Sequence, residues 1–414
     1  MSEWAKVAVH EVADVFDGPH ATPPKTEDGP YYLSISSLNS GRFDLSRSAH
    51  LSNADLPRWT KRVAPRPGDT LFSYETRLGE AAYWEYDMPA ALGRRMGLLR
   101  PKLGVVEPRY LLYAYLGPQF QEVIRQKTLS GATVERISVG DMPSWPILLP
   151  SRDTQGKILN IVGSVDDLIE NNRRRVEILE EMARAIYREW FVKFRYPGYE
   201  DVPMVDSEVG PIPEGWTVGV IDNLVRVVRD TIIPSTIDPA TPAVGLEHIP
   251  RRRLTLDDWS TATEQGSRKT VFMSGDLLFG KIRPYFHKVS LAPVDGISST
   301  DAIVIRPKVE HWGQSVMVLS SDEIIAHATQ TSNGTKMPRA DWKVLGQWPV
   351  AVPPEELAIQ FSERMRDHLG LAKTLMFENR KLSDLRDLLL PKLVTGQIDV
   401  SSLDLDALIA EQVT

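Results

Sequence analysis

GDTLFSYET, residues 68–76, returns 207 positions later as GDLLFGKIR, residues 275–283. The separation is half of the 414-residue chain, so internal duplication is the first reading to test. Further anchors recur at slowly falling offsets: Trp4 with Trp216 at 212, Leu38 with Ile249 at 211, and Trp145-Pro146 with Trp348-Pro349 at 203. Gly131 and Arg136 of SGATVERI match Gly334 and Arg339 of SNGTKMPR, also at 203. Chance matches would scatter, whereas small loop deletions in a second copy give this smooth drift. The chain reads as two copies of one unit.

Each copy divides into a β-rich part and a helical part. Residues 1–150 hold short apolar runs (YYLSISSL, DTLFSY, WPILLP) punctuated by Gly, Pro, Asn and Asp, with one helical stretch around PRYLLYAYLGPQFQEVIRQ. That pattern predicts an α+β domain. From Asp153 no proline interrupts the chain until Pro197, which predicts one long helix. Its apolar residues fit a heptad with Ile158, Val165, Asn172, Leu179 and Ile186 at a, and Ile161, Leu168 and Met182 at d. A second helix begins at PPEELAIQFSERM, with Met365, Ala372, Asn379 and Leu393 at a, and Leu375, Leu382 and Leu389 at d. Asn172 and Asn379 are again 207 apart, and a polar residue at such a position can set the register of a coil. Two separate core helices would carry similar stripes. FRYPGYEDVPMVDSEVGPIPEGW reads as a connector, and SSLDLDALIAEQVT, 401–414, as a short terminal helix.

Composition narrows the chemistry. With 42% hydrophobic and 25% charged residues the chain reads as an ordinary globular protein. It has no membrane-length apolar run and no signal-like start, so the cytoplasm is expected. There is no cysteine, and the eight histidines form no HExxH pattern, so no metal site is expected. Net charge is −7, yet residues 58–77, 94–109 and 248–288 carry local surpluses of +3, +4 and +4, while residues 355–414 carry −4. Such basic patches suit phosphates, and the acidic remainder suits protein partners.

GDLLFGK contains GxxxxGK, but Ile282 stands where a phosphate loop needs Ser or Thr, and Pro284 follows at once. The Pro-Pro pairs ATPPKT and VPPEEL lack the aromatic residue that an amino-methyltransferase motif requires, and no nuclease-like set of carboxylates appears. Glu75 and Asp276 read as turn and surface residues. Recognition remains. Candidate DNA contacts are Tyr74, Arg77, Arg94 and Arg95 in the first copy. In the second they are Arg251, Arg252, Lys281, Arg283, Tyr285, Lys288 and Lys336, with Arg253 and His287 close by. Arg and Lys hold phosphates and read guanine, and Tyr and His donate or stack. At alternate strand positions such residues share a face.

The succession of β-rich domain, long helix, β-rich domain, long helix, with LRDLLLPKLVTGQIDV at 385–400, resembles the DNA-specificity subunit of Type I restriction-modification systems over nearly the whole chain. EMARAIYREWFVKF, PIPEGW and the two GDxLF segments add to the likeness. The resemblance implies an α+β fold with two pseudo-repeated α/β target-recognition domains, 1–152 and 201–352. Two long antiparallel coiled-coil helices, in 153–200 and 353–414, would join them. It implies a non-catalytic subunit that recognises a bipartite site on double-stranded DNA. It also implies a scaffold for two modification (methyltransferase) subunits, which bring S-adenosylmethionine, while two restriction (motor-nuclease) subunits can join. No cofactor is expected in this chain. The competing reading is a free-standing two-reader DNA-binding regulator without catalytic partners.

Residues 158–194 would form a rod of about 55 Å as a helix, against a DNA groove repeat of about 34 Å. Inserting four residues between Asn172 and Val176 should therefore lengthen the gap between half-sites and leave both half-sequences unchanged. Methylome sequencing reads both, and a change in the bases recognised would refute the model.

Overall fold

A Gly-Asp turn followed by a buried strand organises each half. In the computed structural model Gly68 and Gly275 take φ of 100° and 90°, a left-handed conformation that glycine adopts without penalty. The next residue closes the turn: Asp69 accepts the Arg66 N–H, and Asp276 the Met273 N–H, each at 2.8 Å. The same carboxylates receive bidentate guanidinium forks. Arg100 reaches Asp69 at 3.0 and 2.7 Å, and Arg306 reaches Asp276 at 2.7 and 2.6 Å. Asp276 is 2% exposed, so it is a turn residue but a buried ion-pair partner, where the sequence suggested a surface position. The following Leu-Phe of each phrase, Leu71-Phe72 and Leu278-Phe279, is fully buried.

The structure describes residues 4–39, 41–129, 134–264, 266–334 and 336–400. Gly131 and the tail 401–414 lie outside these. Two compact units emerge, residues 1–167 with 382–414, and residues 168–381.

In the first unit the phrase strand Thr70–Ser73 sits in an antiparallel sheet of order Ala13–Asp17, Met96–Pro101, Thr70–Ser73, Ala81–Tyr83. Ala5–Ala8 pairs antiparallel with Pro146–Leu149. The single helical stretch expected near residue 117 is two helices, Pro108–Leu116 and Pro118–Lys127. Pro118 disfavours helical geometry at the residue before it, and Gly117 is extended with ψ 150°. The LLLPKLVTG segment closes this unit, with Leu393, Val394 and Val400 in one apolar cluster with Val9, Leu111, Tyr113 and Ile147.

The second unit repeats the plan. Its sheet runs Val225–Val227, Ala302–Pro307, Leu277–Gly280, Val289–Leu291, and Thr217–Val220 pairs with Pro349–Val352. Trp312–Leu319 and Asp322–Gln330 supply the helices. Here EWFVKF and PIPEGW meet: Phe191, Phe194 and Tyr196 lie 5.4–5.5 Å from Trp216, ring centre to ring centre. Phe361 of the second long helix lies 4.7 Å from Phe191.

The first long helix runs from 152 to 192, but it is not uniform. Leu159–Gly163 and Arg188–Val192 are wider π-helical turns. A π turn holds one extra residue and so advances the phase of everything after it. The expected register holds at Ile158, which is buried, and then slips by one. Leu168 and Met182, expected in the seam, are 39% and 46% exposed, while Val162, Ile169, Val176, Ala183 and Trp190 are buried at intervals of seven. Asp166 and Glu180 are buried at the other shifted positions, with Tyr187 half-buried, while Asn172 stays in the seam as expected, at 1% exposure. The second helix, Glu355–Leu393, keeps its expected phase, with Met365, Ala372, Leu375 and Leu393 buried.

In the second unit Val176 packs on Ala372 and Leu375. The Asn172 amide donates to Glu378 at 3.0 Å, and Asn379 donates to the Ile169 carbonyl at 3.1 Å. Partner numbers fall as the first helix advances, so these segments run antiparallel.

Removing one member of a buried pair strands the other charge. Asp69→Ala and Asp276→Ala should each lower unfolding stability by about 3–5 kcal/mol. Asp276→Leu with Arg306→Met should recover most of that loss in urea denaturation, and equal losses in the single and double variants would contradict this account.

Candidate nucleic-acid interface

Beyond the shared GDxLF half, the phrases diverge as the chain leaves the strand. Both exits have the same backbone. Ile137 N–H donates to Tyr74 O at 3.0 Å and Thr76 N–H to Glu135 O at 3.3 Å. Correspondingly, Ala340 N–H donates to Lys281 O at 2.8 Å and Arg283 N–H to Pro338 O at 2.7 Å. Thr76 and Arg283 occupy the same place, with φ of 73° and 50°. Left-handed backbone at a residue with a Cβ costs of order 1–3 kcal/mol and concentrates at functional sites. The loop geometry is thus held in common while its side chains differ.

In the second unit the exit loop is a cationic, aromatic tip. Pro284–Phe286 forms a 3₁₀ turn between Arg283 and His287, both left-handed. This lifts Tyr285 into solvent at 51% exposure. Arg251 lies 4.2 Å over the Phe286 ring and Arg283 6.0 Å from it, so guanidinium planes flank the ring. Arg283, Lys336 and Arg339 are exposed and Lys281 is half-buried. Among the described residues none of these four makes an ion pair or a side-chain hydrogen bond. These cations are therefore available to an external anion. The strand ends at Gly280, so the tip residues do not alternate along a strand as the sequence reading expected.

Other sequence candidates serve the fold instead. Tyr74 is 7% exposed, its hydroxyl 3.4 Å from His20 Nδ1, and burial, with Asp17 nearby, pushes its pKa up to about 12. Arg77 is a strut to the Ile35 and Leu38 carbonyls, both 3.0 Å away, and pairs with Glu80. Arg95 pairs with Glu75 at 3.1 Å. Lys288 donates to the Leu246 carbonyl. Arg252 and Arg253 pair with Asp322 and Asp257. His287 is buried with Nε2 on the Ser320 carbonyl, and burial lowers its pKa. Arg94 is exposed and makes no side-chain pairing among the described residues. Arg136, exposed and bridged to Glu75, joins the first loop, as Arg339 bridged to Ile282 joins the second. Neither was a sequence candidate, although the shared 203 offset had aligned them.

Among the described residues no cluster of three or more His, Asp or Glu could hold a metal. No helix there is long and apolar enough to cross a membrane.

Each of these paired domains thus carries in its loop set an exposed arginine with no side-chain partner among the described residues. The family described as the Type I restriction modification DNA specificity domain matches residues 1–181. The chain is 22% identical over 356 residues to the Type I restriction enzyme MjaIX specificity subunit of Methanocaldococcus jannaschii, covering 83% of this chain and 80% of that one. It is 24% identical over 296 residues to the EcoDI specificity subunit of Escherichia coli, covering 66% of each. The fold resembles the crystal structure of a Type I restriction-modification S subunit from M. genitalium, with TM-score 0.53, 13% identity, and 94% and 96% of the two chains covered. Residues 1–181 thus carry a Type I restriction-modification DNA specificity domain, and over most of its length the chain is similar to Type I specificity subunits.

Arg283→Ala with Arg339→Ala should weaken DNA binding of the assembled complex. The salt dependence should flatten by about 0.9 in log–log slope for each phosphate no longer neutralised. Anisotropy titrations across a salt series, with circular dichroism unchanged, test this. Parent-like affinity at every salt would remove the tip from the interface.

Proposed function

We propose that the chain is the non-catalytic reader of a Type I restriction-modification complex, with each domain recognising one half of a bipartite site on double-stranded DNA. The observation that carries this is the pair of exit loops: one backbone, held by the same two hydrogen bonds, presents different side chains in the two domains. Shared geometry with divergent chemistry suits two readers of different half-sequences. Arginine and lysine at the second tip would hold phosphates or guanine edges, and Tyr285 would donate or stack.

Two methyltransferase subunits, binding S-adenosylmethionine themselves, would dock on the long helices, and two restriction subunits would join for cleavage. The one-residue phase shift supports a docking face. It turns Leu168, Ile178 and Met182 outward, 39%, 59% and 46% exposed, on one side of the first helix. An apolar stripe of this kind calls for a partner helix. Asn172 and Asn379 would fix the register of the coil by their cross-helix hydrogen bonds.

Coexpression with the methyltransferase of its own system should improve solubility and yield a complex that methylates a bipartite sequence. Ile178→Ser with Met182→Ser should lower complex yield at least severalfold in size-exclusion chromatography with light scattering, without unfolding the chain. Full assembly by this variant would place the docking surface elsewhere. A monodisperse, high-affinity, sequence-specific complex of the chain alone with DNA would favour a free-standing regulator.

A further inference from the structure

Glu180 occupies a seam position of the first long helix and is 2% exposed. Its carboxylate accepts Leu254 N–H at 3.0 Å, Thr255 N–H at 2.8 Å and the Thr255 hydroxyl at 2.6 Å. Arg184, one turn on, donates to Glu180 at 2.9 Å and to the Arg252 carbonyl at 3.1 Å. The Arg252 N–H donates at 2.8 Å to the carbonyl of His287, the residue that closes the tip turn. Arg251, next in the chain, lies over Phe286 at that tip. The second helix holds the same segment: Arg380 donates to the Asp257 carbonyl at 2.9 Å and stacks 3.8 Å over Trp259.

We infer that Glu180 is a positioning residue for base reading by the second domain, fixing Arg251 and the 283–287 tip relative to the helix; this rests on the DNA-recognition reading above. A buried carboxylate with several donors holds its partners rigidly, because each broken bond would leave a group unpaired. A charged seam residue contributes less to helix packing than an apolar one would, and here its bonds go to the domain. The anchor meets backbone amides, so it fixes the loop without dictating which side chains the loop carries.

The test uses the complex with its methyltransferase and methylome sequencing of cells that express it. Glu180→Ala should reduce discrimination against single-base mismatches by about tenfold in one half-site only, leaving the other half strict. Glu180→Gln, which keeps one oxygen for Thr255, should fall between parent and alanine. Thr255→Val removes a single bond at nearly constant shape and should relax the same half more weakly. A uniform drop in methylation with both base profiles unchanged is what a merely structural role gives, and it would overturn the proposal. Relaxation of both halves, or no change, would overturn it as well. If Glu180→Ala yields no complex, the other two variants decide by the same criteria. A parent complex that methylates no bipartite sequence would instead sink the function reading itself, and the inference with it.

Discussion

The bidentate Asp–Arg pair under each Gly-Asp turn is the constraint on which the domains depend. It closes the turn through the Asp69 and Asp276 carboxylates and ties the phrase strand to its neighbour through Arg100 and Arg306. The aspartates are 2% exposed, so neither charge could remain without the other. Because that staple fixes the strand, the chain leaves it at a defined point and in a defined direction. The left-handed residues Thr76 and Arg283 then appear at matching places in both halves.

This divides the repeated phrase into two kinds of residue. GDxLF is retained for the fold, and its legibility follows: a turn glycine, a turn-closing aspartate and two buried apolar residues are all local signals. The helical family segments are similarly plain once seen as core. EWFVKF and GW meet edge-to-face as aromatics in the second unit, and LVTG packs in the first. The exit loops were only half legible. Cations near residue 283 could be seen, but whether a cation is free depends on carboxylates and carbonyls distant in sequence. Lys288 and Arg283 look alike in the string, yet one bonds to Leu246 and the other faces solvent.

The long helices show a subtler limit. Heptad reading assumes a constant phase, and the π turn at Leu159–Gly163 breaks it by one residue. Nothing in LNIVG announces that. The true seam also carries Asp166 and Glu180, which a search for apolar stripes passes over, while Leu168 and Met182 offer a convincing false one. Asp166 explains its own burial in the same way as Glu180: it accepts the Tyr113 hydroxyl at 2.6 Å within the first unit. Asp166 and Glu180 thus bind the domains, whereas Asn172 bonds to Glu378 of the second helix.

The division of the chain into units also sets an order of events during synthesis. Residues 168–381 form one uninterrupted unit, whereas the first unit draws on residues 1–167 and on the segment from 382 onward. On the ribosome, the amino-terminal domain emerges first but lacks Leu393, Val394 and Val400, which complete its apolar cluster. At about 5–20 residues per second, roughly 10–40 s pass before that segment is translated. During that interval the first-made unit holds an open apolar surface while the second is still being translated. Expression conditions that slow translation, or chaperone supply at that stage, therefore bear chiefly on the amino-terminal half.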